Sequence, residues 1–482
     1  MNDFVVSLML LGALSQNGTM PFWAAANSCG IMPESSGALA LVRAGTSFDE
    51  SHTLQWRWGL SLGVRNDRDS AAGFIPDEAF ASLRWKCLRL DAGLKRTEQD
   101  FLGSDPRLGS VSSTGGRYIN SGNARTMPGA SINLEPLVIP FTGGRLKLRG
   151  RFGDWFTTDT RYVRGSMVHN TAAFLEGRIG ERLFLTAGID HYTIWGGTSP
   201  SEGVFPITFR NYLRILVGAS GGSDAPEGER INALGDHRGS EILRADWRAE
   251  NWTLTLQHDI PYEDRSGMIF RNFPDGVNTI ALSFKDKDRW VSDVAYEFHY
   301  TMNQSGTKER RPATQEEIDS GDPRIIDGEL ILGGADNYTN NFSFKSGWTY
   351  YGRQIANPLF FPTGTIAGTV SRHTVTFGTE NNLLKAHHLG VSGKLFRKLP
   401  YRLMLTYSEN YGCYLYDGVF TRAYVLPDGS YADVPLRQFS SAFSAIVRLW
   451  RLPLSIIPSI YADAGDILPR GFGATLAIVY QL

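Results

Sequence analysis

Residues Leu54 to Val64, LQWRWGLSLGV, alternate between two kinds of side chain. Leu54, Trp56, Trp58, Leu60, Leu62 and Val64 are apolar, whereas Gln55, Arg57, Gly59, Ser61, Gly63 and then Arg65 are polar, charged or glycine. A strand points successive side chains to opposite faces, so the segment has one greasy face and one wet face. The greasy face carries two tryptophans and no charge, which suits lipid at least as well as a protein core.

The pattern recurs along the chain. Ala79, Ala81, Leu83 and Trp85 face one way, with Ser82, Arg84 and Lys86 opposite. Leu88, Leu90, Ala92 and Leu94 alternate with Arg89, Asp91, Gly93 and Lys95. The same period holds from Leu183 to Asp190, Trp252 to Gln257, Asp293 to Tyr300 and Tyr401 to Ser408. The last stretch sets Ala474, Leu476, Ile478, Tyr480 and Leu482 on one face and Thr475, Ala477, Val479 and Gln481 on the other. Phe4–Leu14 has the length of a signal-peptide core, but Met-Asn-Asp before it carries no Lys or Arg and no A-x-A site follows. It reads as a first strand, with the secretion signal already removed.

The connections fall into two classes. Tight turns sit near Thr142–Gly144, Ile179–Glu181, Glu250–Asn251, Asp288–Arg289 and Lys398–Pro400. Between them lie Gln99–Ala130, Thr193–Gly239, Asn303–Asp336 and Gly412–Arg437, long and rich in Gly, Asp and Ser. Short-long alternation is the mark of outer-membrane barrels, with tight periplasmic turns and long external loops. The expectation is therefore all-β: a closed antiparallel transmembrane barrel of roughly eighteen to twenty strands, one domain over residues 1–482, in the outer membrane of a Gram-negative bacterium. The pattern breaks in Gly347–Val370. The long loops, that stretch and Thr193–Gly239 among them, are the candidates to fold into the lumen, and inward folding there would argue against conduction.

Composition agrees. Glycine numbers 52 and aromatics reach 12%, as short strands, turns and aromatic belts require. No apolar run is long enough for a transmembrane helix, which leaves closed barrels as the way to satisfy the backbone in lipid. Net charge is −1, so bulk charge points to no nucleic-acid partner. Cys29, Cys87 and Cys413 are widely spaced and form neither a metal pattern nor a disulfide framework. No cofactor is implied.

One strand is unusual. In RLKLRGRF, Leu146, Leu148 and Phe152 face lipid, so Arg145, Lys147, Arg149 and Arg151 form a basic row toward the lumen. Two readings stand: a salt-bridged lumen wall, or a basic cleft that focuses charge on an anionic polymer.

Three irregular stretches concentrate polar, glycine and aromatic residues: Leu108–Ile132, Gly188–Pro200 and Asp336–Pro362. Together with Met20–Gly37 (MPFWAAANSCGIMPESSG) and Asn381–Gly393 (NNLLKAHHLGVSG), they resemble the capsule-assembly Wzi family in its Bacteroidetes form, over essentially the whole chain. The resemblance implies an outer-membrane barrel lectin that helps hold capsular or exopolysaccharide at the cell surface. Its partners would be that polysaccharide, outer-membrane lipid and, at the envelope, lipopolysaccharide or other proteins. Some members carry a periplasmic helical bundle at the N-terminus. Met1–Glu50 has no amphipathic helix of useful length, so closing the lumen falls to the long loops.

The motifs suit carbohydrate. Sugars present C–H faces to aromatic rings and hydroxyls to planar polar groups. Trp195, flanked by Gly196 and Gly197, is expected as an exposed ring on a tight turn. Trp348, Tyr350 and Tyr351 beside Arg353 and Asn357 supply rings, a guanidinium fork and an amide, and Asn123 with Arg125 a further polar pair. Arginine's fork also matches uronate carboxylates. Each aromatic has a plainer role open to it, as an anchor for a folded loop.

Catalysis is not expected. His169, His191, His258, His299, His387 and His388 fall on different elements, and on a strand His387 and His388 point apart. Neither H-E-x-x-H nor G-x-S-x-G occurs. The leading expectation is a polysaccharide-binding barrel; the alternative is an outer-membrane channel for anionic solutes or oligosaccharides.

Overall fold

The computed structural model describes residues 4–68, 72–222, 225–226, 230, 233–306, 309–320, 325–333, 336–365, 378–414, 422–426, 428–449 and 452–481. Parts of Thr193–Gly239, Asn303–Asp336, Gly347–Val370 and Gly412–Arg437, and Leu482, lie outside the described residues.

Eighteen antiparallel strands close into a barrel. In chain order they are β1 (Phe4–Ser15), β2 (Gly37–Thr46), β3 (Leu54–Asp67), β4 (Gly73–Trp85), β5 (Leu88–Leu94), β6 (Pro128–Val138), β7 (Leu146–Phe156), β8 (Met167–Ile179) and β9 (Leu183–Trp195). There follow β10 (Asp236–Arg248), β11 (Trp252–Tyr262), β12 (Gly276–Phe284), β13 (Asp293–Tyr300), β14 (Leu384–Leu395), β15 (Leu399–Asn410), β16 (Leu436–Ala445, resumed at Val447–Leu449), β17 (Leu454–Gly465) and β18 (Gly471–Gln481). Both parts of β16 pair with β17, so they make one stave. Each strand pairs with its sequence neighbours, and β1 pairs with β18 from Ser7↔Gln481 to Ser15↔Gly473. Closure leaves the sheet without an open edge.

The alternation lands where the pattern placed it. Leu54, Trp56, Leu60 and Val64 are exposed on the outer wall, as are Leu83, Trp85, Leu185, Leu256, Tyr407, Leu476 and Ile478. So continuous an apolar belt fits only a lipid surround. The chain is an outer-membrane barrel. Phe4–Leu14 is the first strand, not a residual leader, and its Leu8 and Leu10 join the belt.

The connections sort by end. Residues 47–53, 86–87, 139–145, 180–182, 249–251, 285–292, 396–398 and 450–453 are short and share the end at which β1 starts. The long connections leave the other end, the extracellular one by the barrel rule. An eighteen-stranded barrel is wide enough for an aqueous channel unless something fills it. Here three segments fill it: residues 16–36, 95–127 and 336–362.

Residues 95–127 reach deepest. Ser104 bonds Ser392 Oγ (2.8 Å) and the Gly393 carbonyl (2.9 Å), Arg107 donates to Ser455 Oγ (2.9 Å), and Arg448 pairs with Asp105 (2.9 Å). Ser392, Arg448 and Ser455 all lie next to short turns, so this loop runs to the periplasmic mouth and returns. Midway, the buried Glu297 carboxylate accepts from the Ser113 N–H (2.8 Å) and from the Ser112 and Ser113 hydroxyls. Charged acceptors make strong bonds when desolvated, and this one holds the loop against β13.

The connection after β9 differs from expectation. Part of it, a short hairpin of Gly197–Ser199 with Gly203–Phe205, stays at the rim, where Phe205 packs on Phe344. The chain then turns outward. Helix α1 (Phe209–Leu216), capped by Thr208, lies on the outer wall of the barrel, not in the lumen. Its Tyr212 hydroxyl donates to Asp154 (2.8 Å), which pairs with His169 (3.0 Å). Asp154 and His169 share the lipid side of β7 and β8, in register with each other. These two polar groups need a cover, and the helix supplies it.

Candidate functional site

The sequence-selected residues divide into three groups. Trp348, Tyr350, Asn123 and Asn357 are interior anchors. Trp348 is fully buried, and its Nε1 donates to the Ile119 carbonyl (2.8 Å), tying the 336–362 segment to the deep loop. Tyr350 is 1% exposed and shares a hydrogen bond with Thr158 (2.5 Å). Asn123 donates to the Gln354 carbonyl (3.0 Å) and accepts from the Asn27 N–H (3.1 Å), so it joins all three inward segments. The Asn357 amide bonds His299 Nδ1 (3.0 Å), whose Nε2 meets Ser113 Oγ (2.9 Å), all at zero exposure or nearly so.

Trp195 stands apart. Gly196 and Gly197 do adopt positive φ, so the tight turn is real. The ring nevertheless points to the outer wall, is 3% exposed and is covered by α1 through Tyr212 and Ile215. It is not an exposed sugar platform. An apolar ring at the membrane-side end of a strand is sheltered, not displayed, when a connection folds back over it.

Tyr351, Arg125 and Arg353 come together at the extracellular face. Tyr351 has positive φ, followed by Gly352, at the tip of a two-residue hairpin linking Thr349–Tyr350 to Arg353–Gln354. The turn lifts the ring out, 43% exposed. The Arg125 guanidinium lies over it, 4.4 Å from the centroid. Arg125 has no carboxylate within ion-pair distance among the described residues, and burial, then Arg65, lowers its pKa from the ordinary arginine value. It is a cation without an anion. Arg353 is already used: it holds Glu34 (3.1 Å) and the Ala25 carbonyl (3.1 Å), latching residues 16–36 to the cap.

Further along the same rim lie groups the sequence reading did not single out. Phe342 is 68% exposed, and Lys345 sits between its ring (6.0 Å) and that of Tyr162 (4.7 Å). Tyr162 lies in the 157–166 connection, whose Thr158 contacts Tyr350 and Tyr351. Phe342 and Lys345 belong to the polar and aromatic stretch Asp336–Pro362; Tyr162, within Thr160–Val163 (TRYV), carries no local signal.

The basic row continues along one face of β7 from Lys147. Arg149 and Arg151 point into the lumen, but each is paired: Arg149 with Glu176 (2.8 Å), Arg151 with Asp190 (3.4 Å), Asn170 (2.5 Å) and Tyr192 (2.8 Å). Partners absent from their own strand come from β8 and β9. Lys147 keeps the same face of β7 as Arg149 and Arg151 and is exposed near the periplasmic mouth, while Arg145 lies in the short turn before the strand. A cavity of about 370 Å³ remains beside Arg149 and Arg151, bounded above by Cys29, Arg125 and Ile355.

The fold and this cap define an outer-membrane β-barrel with three segments folded into its lumen and a polar, aromatic extracellular face. No family model matches the chain, and no curated protein matches it by sequence. Among solved structures, the chain is similar to Wzi of Escherichia coli, an outer-membrane protein involved in group 1 capsule assembly and described as a carbohydrate-binding β-barrel. The TM-score is 0.54 at 12% identity, over 99% of this chain and 84% of that one. It is also similar to two Pseudomonas aeruginosa outer-membrane proteins. They are OccD3 (OpdP), at TM-score 0.46, 7% identity and 100% and 91% coverage, and OpdK, at 0.44, 9%, 100% and 99%.

Proposed function

We propose that this chain is a capsule-assembly barrel of the Wzi kind, binding and anchoring anionic capsular or exopolysaccharide at the cell surface without catalysing a reaction. The observation that carries the reading is the pairing of Tyr351 with Arg125 above a lumen packed by three inward segments. An exposed ring offers a stacking face, and an arginine without a carboxylate offers a fork for a uronate. Tyr162, Phe342 and Lys345 add rings and a cation to the same rim, where further sugars of a polymer would bind. The shared fold with a barrel described as carbohydrate-binding makes polysaccharide the ligand to try first.

Conduction of anionic solutes is the competing reading. Against it stand Trp348, Phe360, Leu383 and Leu384, each at zero exposure in the segments around the lumen cap. Two measurements separate them. Under the binding reading, Tyr351→Ala with Phe342→Ala releases polysaccharide from cells that still fold the barrel, and purified barrel shows only small, intermittent conductance in planar bilayers. A large steady conductance with unchanged polysaccharide retention would reverse the assignment.

A further inference from the structure

Below the cap, the cavity of about 370 Å³ is lined by seven lysine or arginine side chains and three carboxylates among the described residues. Most of the cations are accounted for. Arg89 and Lys95 share Asp91 (3.1 and 2.7 Å), while Arg96 turns to Asp77 (2.6 Å), as Arg149 and Arg151 turn to Glu176 and Asp190. Two are held weakly or not at all. Arg117 keeps a long ion pair to Asp100 (3.9 Å) with a buried Nε that donates no hydrogen bond; Arg125 has no carboxylate within ion-pair distance among the described residues. Around them stand Trp155 and Asn120, with Tyr192, which accepts from Asn120 and Arg151, and Asn133, which donates to Asp91 and Ser131.

The open side can be placed. Glu98 is 67% and Glu135 26% exposed, and both bracket Arg89, two residues past the short turn at residues 86–87. The opposite end stops at Ile355, Cys29 and Arg125, beneath the Tyr351 ring. The chamber therefore faces the periplasm, away from the outer face.

We infer that this chamber is a second binding site, entered from the periplasmic end, for a carboxylated saccharide of one or two sugar units. Its volume lies in the range of small-ligand sites. The Arg117 guanidinium, held only by a long 3.9 Å contact to Asp100, takes the carboxylate, the Trp155 ring takes a sugar face, and the Asn120 amide oxygen takes a hydroxyl. A simple anion would use the arginine and leave the Trp155 ring and the Asn120 amide oxygen idle. The inference does not rest on the outer face: Arg117 makes no contact with Tyr351, Phe342 or Lys345.

The test is calorimetric titration of the full barrel in detergent with a uronic-acid disaccharide, its neutral counterpart and succinate. The disaccharide uronate is expected to bind, with affinity falling at least tenfold in Arg117→Gln, while the neutral sugar and succinate fail to compete. Glu98→Gln, at the exposed mouth and outside any packed core, is expected to tighten binding several-fold, which keeps the test open should Arg117→Gln misfold. Absence of uronate binding, equal competition by succinate, or binding that survives Arg117→Gln and is lost in Tyr351→Ala would overturn the assignment.

Discussion

The guanidinium of Arg125 rests on the ring of Tyr351, 4.4 Å from its centroid, and the two residues come from loops more than two hundred positions apart. The contact sits where the chamber below meets the extracellular face above. A cation–π contact at a half-exposed site contributes about 0.5–1 kcal/mol, too little to define a fold but enough to orient a fork. Tyr351→Ala is therefore expected to leave the melting temperature within a few degrees of wild type and to weaken polysaccharide binding about two- to fivefold. Equal binding by the variant would remove this pair from the site.

Trp348 has the opposite profile. It is fully buried, with its N–H satisfied by the Ile119 carbonyl. Trp348→Ala should cost the cap about 3–5 kcal/mol, as large-to-small changes in packed interiors do. The barrel wall, held by its own ladder, should survive. Faster amide exchange around Ile119 and Ile355 with an intact barrel band on unheated gels is the expected result; unchanged exchange would mean that the ring does not anchor the cap.

The cap should loosen as pH rises. Burial, with Asp264 next, pushes the Asp336 carboxyl up to about 7. Its neighbours include Asp275 and Arg271, and Ser305 donates to it. A carboxyl whose folded pKa is raised holds its proton between its unfolded value near 4 and 7, so the folded state binds the extra proton and loses stability as pH climbs through that window. Proteolysis of the outer loops should therefore quicken from pH 5 to pH 8, and Asp336→Asn should flatten the response. A pH-independent rate in the wild type would contradict this.

Helix α1 makes the outer wall testable. Tyr212→Phe removes the hydroxyl from Asp154 and His169 while keeping the ring on Trp195. The expected loss is about 1–2 kcal/mol of local docking, seen as faster cleavage near residues 207–217, with polysaccharide binding unaffected. Unaltered cleavage would place the helix elsewhere.

The wall of the barrel was legible in the sequence because period two is a local property. Leu54 to Val64, Leu183 to Ile189 and the closing strand each announced their lipid face, and His387 and His388 split across β14 as alternation requires: His388 is buried within, while His387 packs outside on Tyr296. The loops were not legible in this way. Nothing near Trp195 says that α1 will return to cover it, since that depends on His169 one strand away and Asp154 two strands away. The pairing of Arg149 and Arg151 with Glu176 and Asp190 depends on cross-strand register, which composition does not carry. Trp348 and Tyr351, three positions apart, take contrary roles because a positive-φ turn lies between buried and exposed faces. Spacing alone marks such a stretch as special without sorting anchors from contacts.

The most direct measurement is binding of the purified barrel to the surface polysaccharide of its own cell across a salt series, wild type beside Arg125→Gln. The account predicts binding that weakens steadily with salt, because screening acts on charge contacts, and a shallower salt dependence in the variant. No binding to any surface glycan of that cell would contradict it.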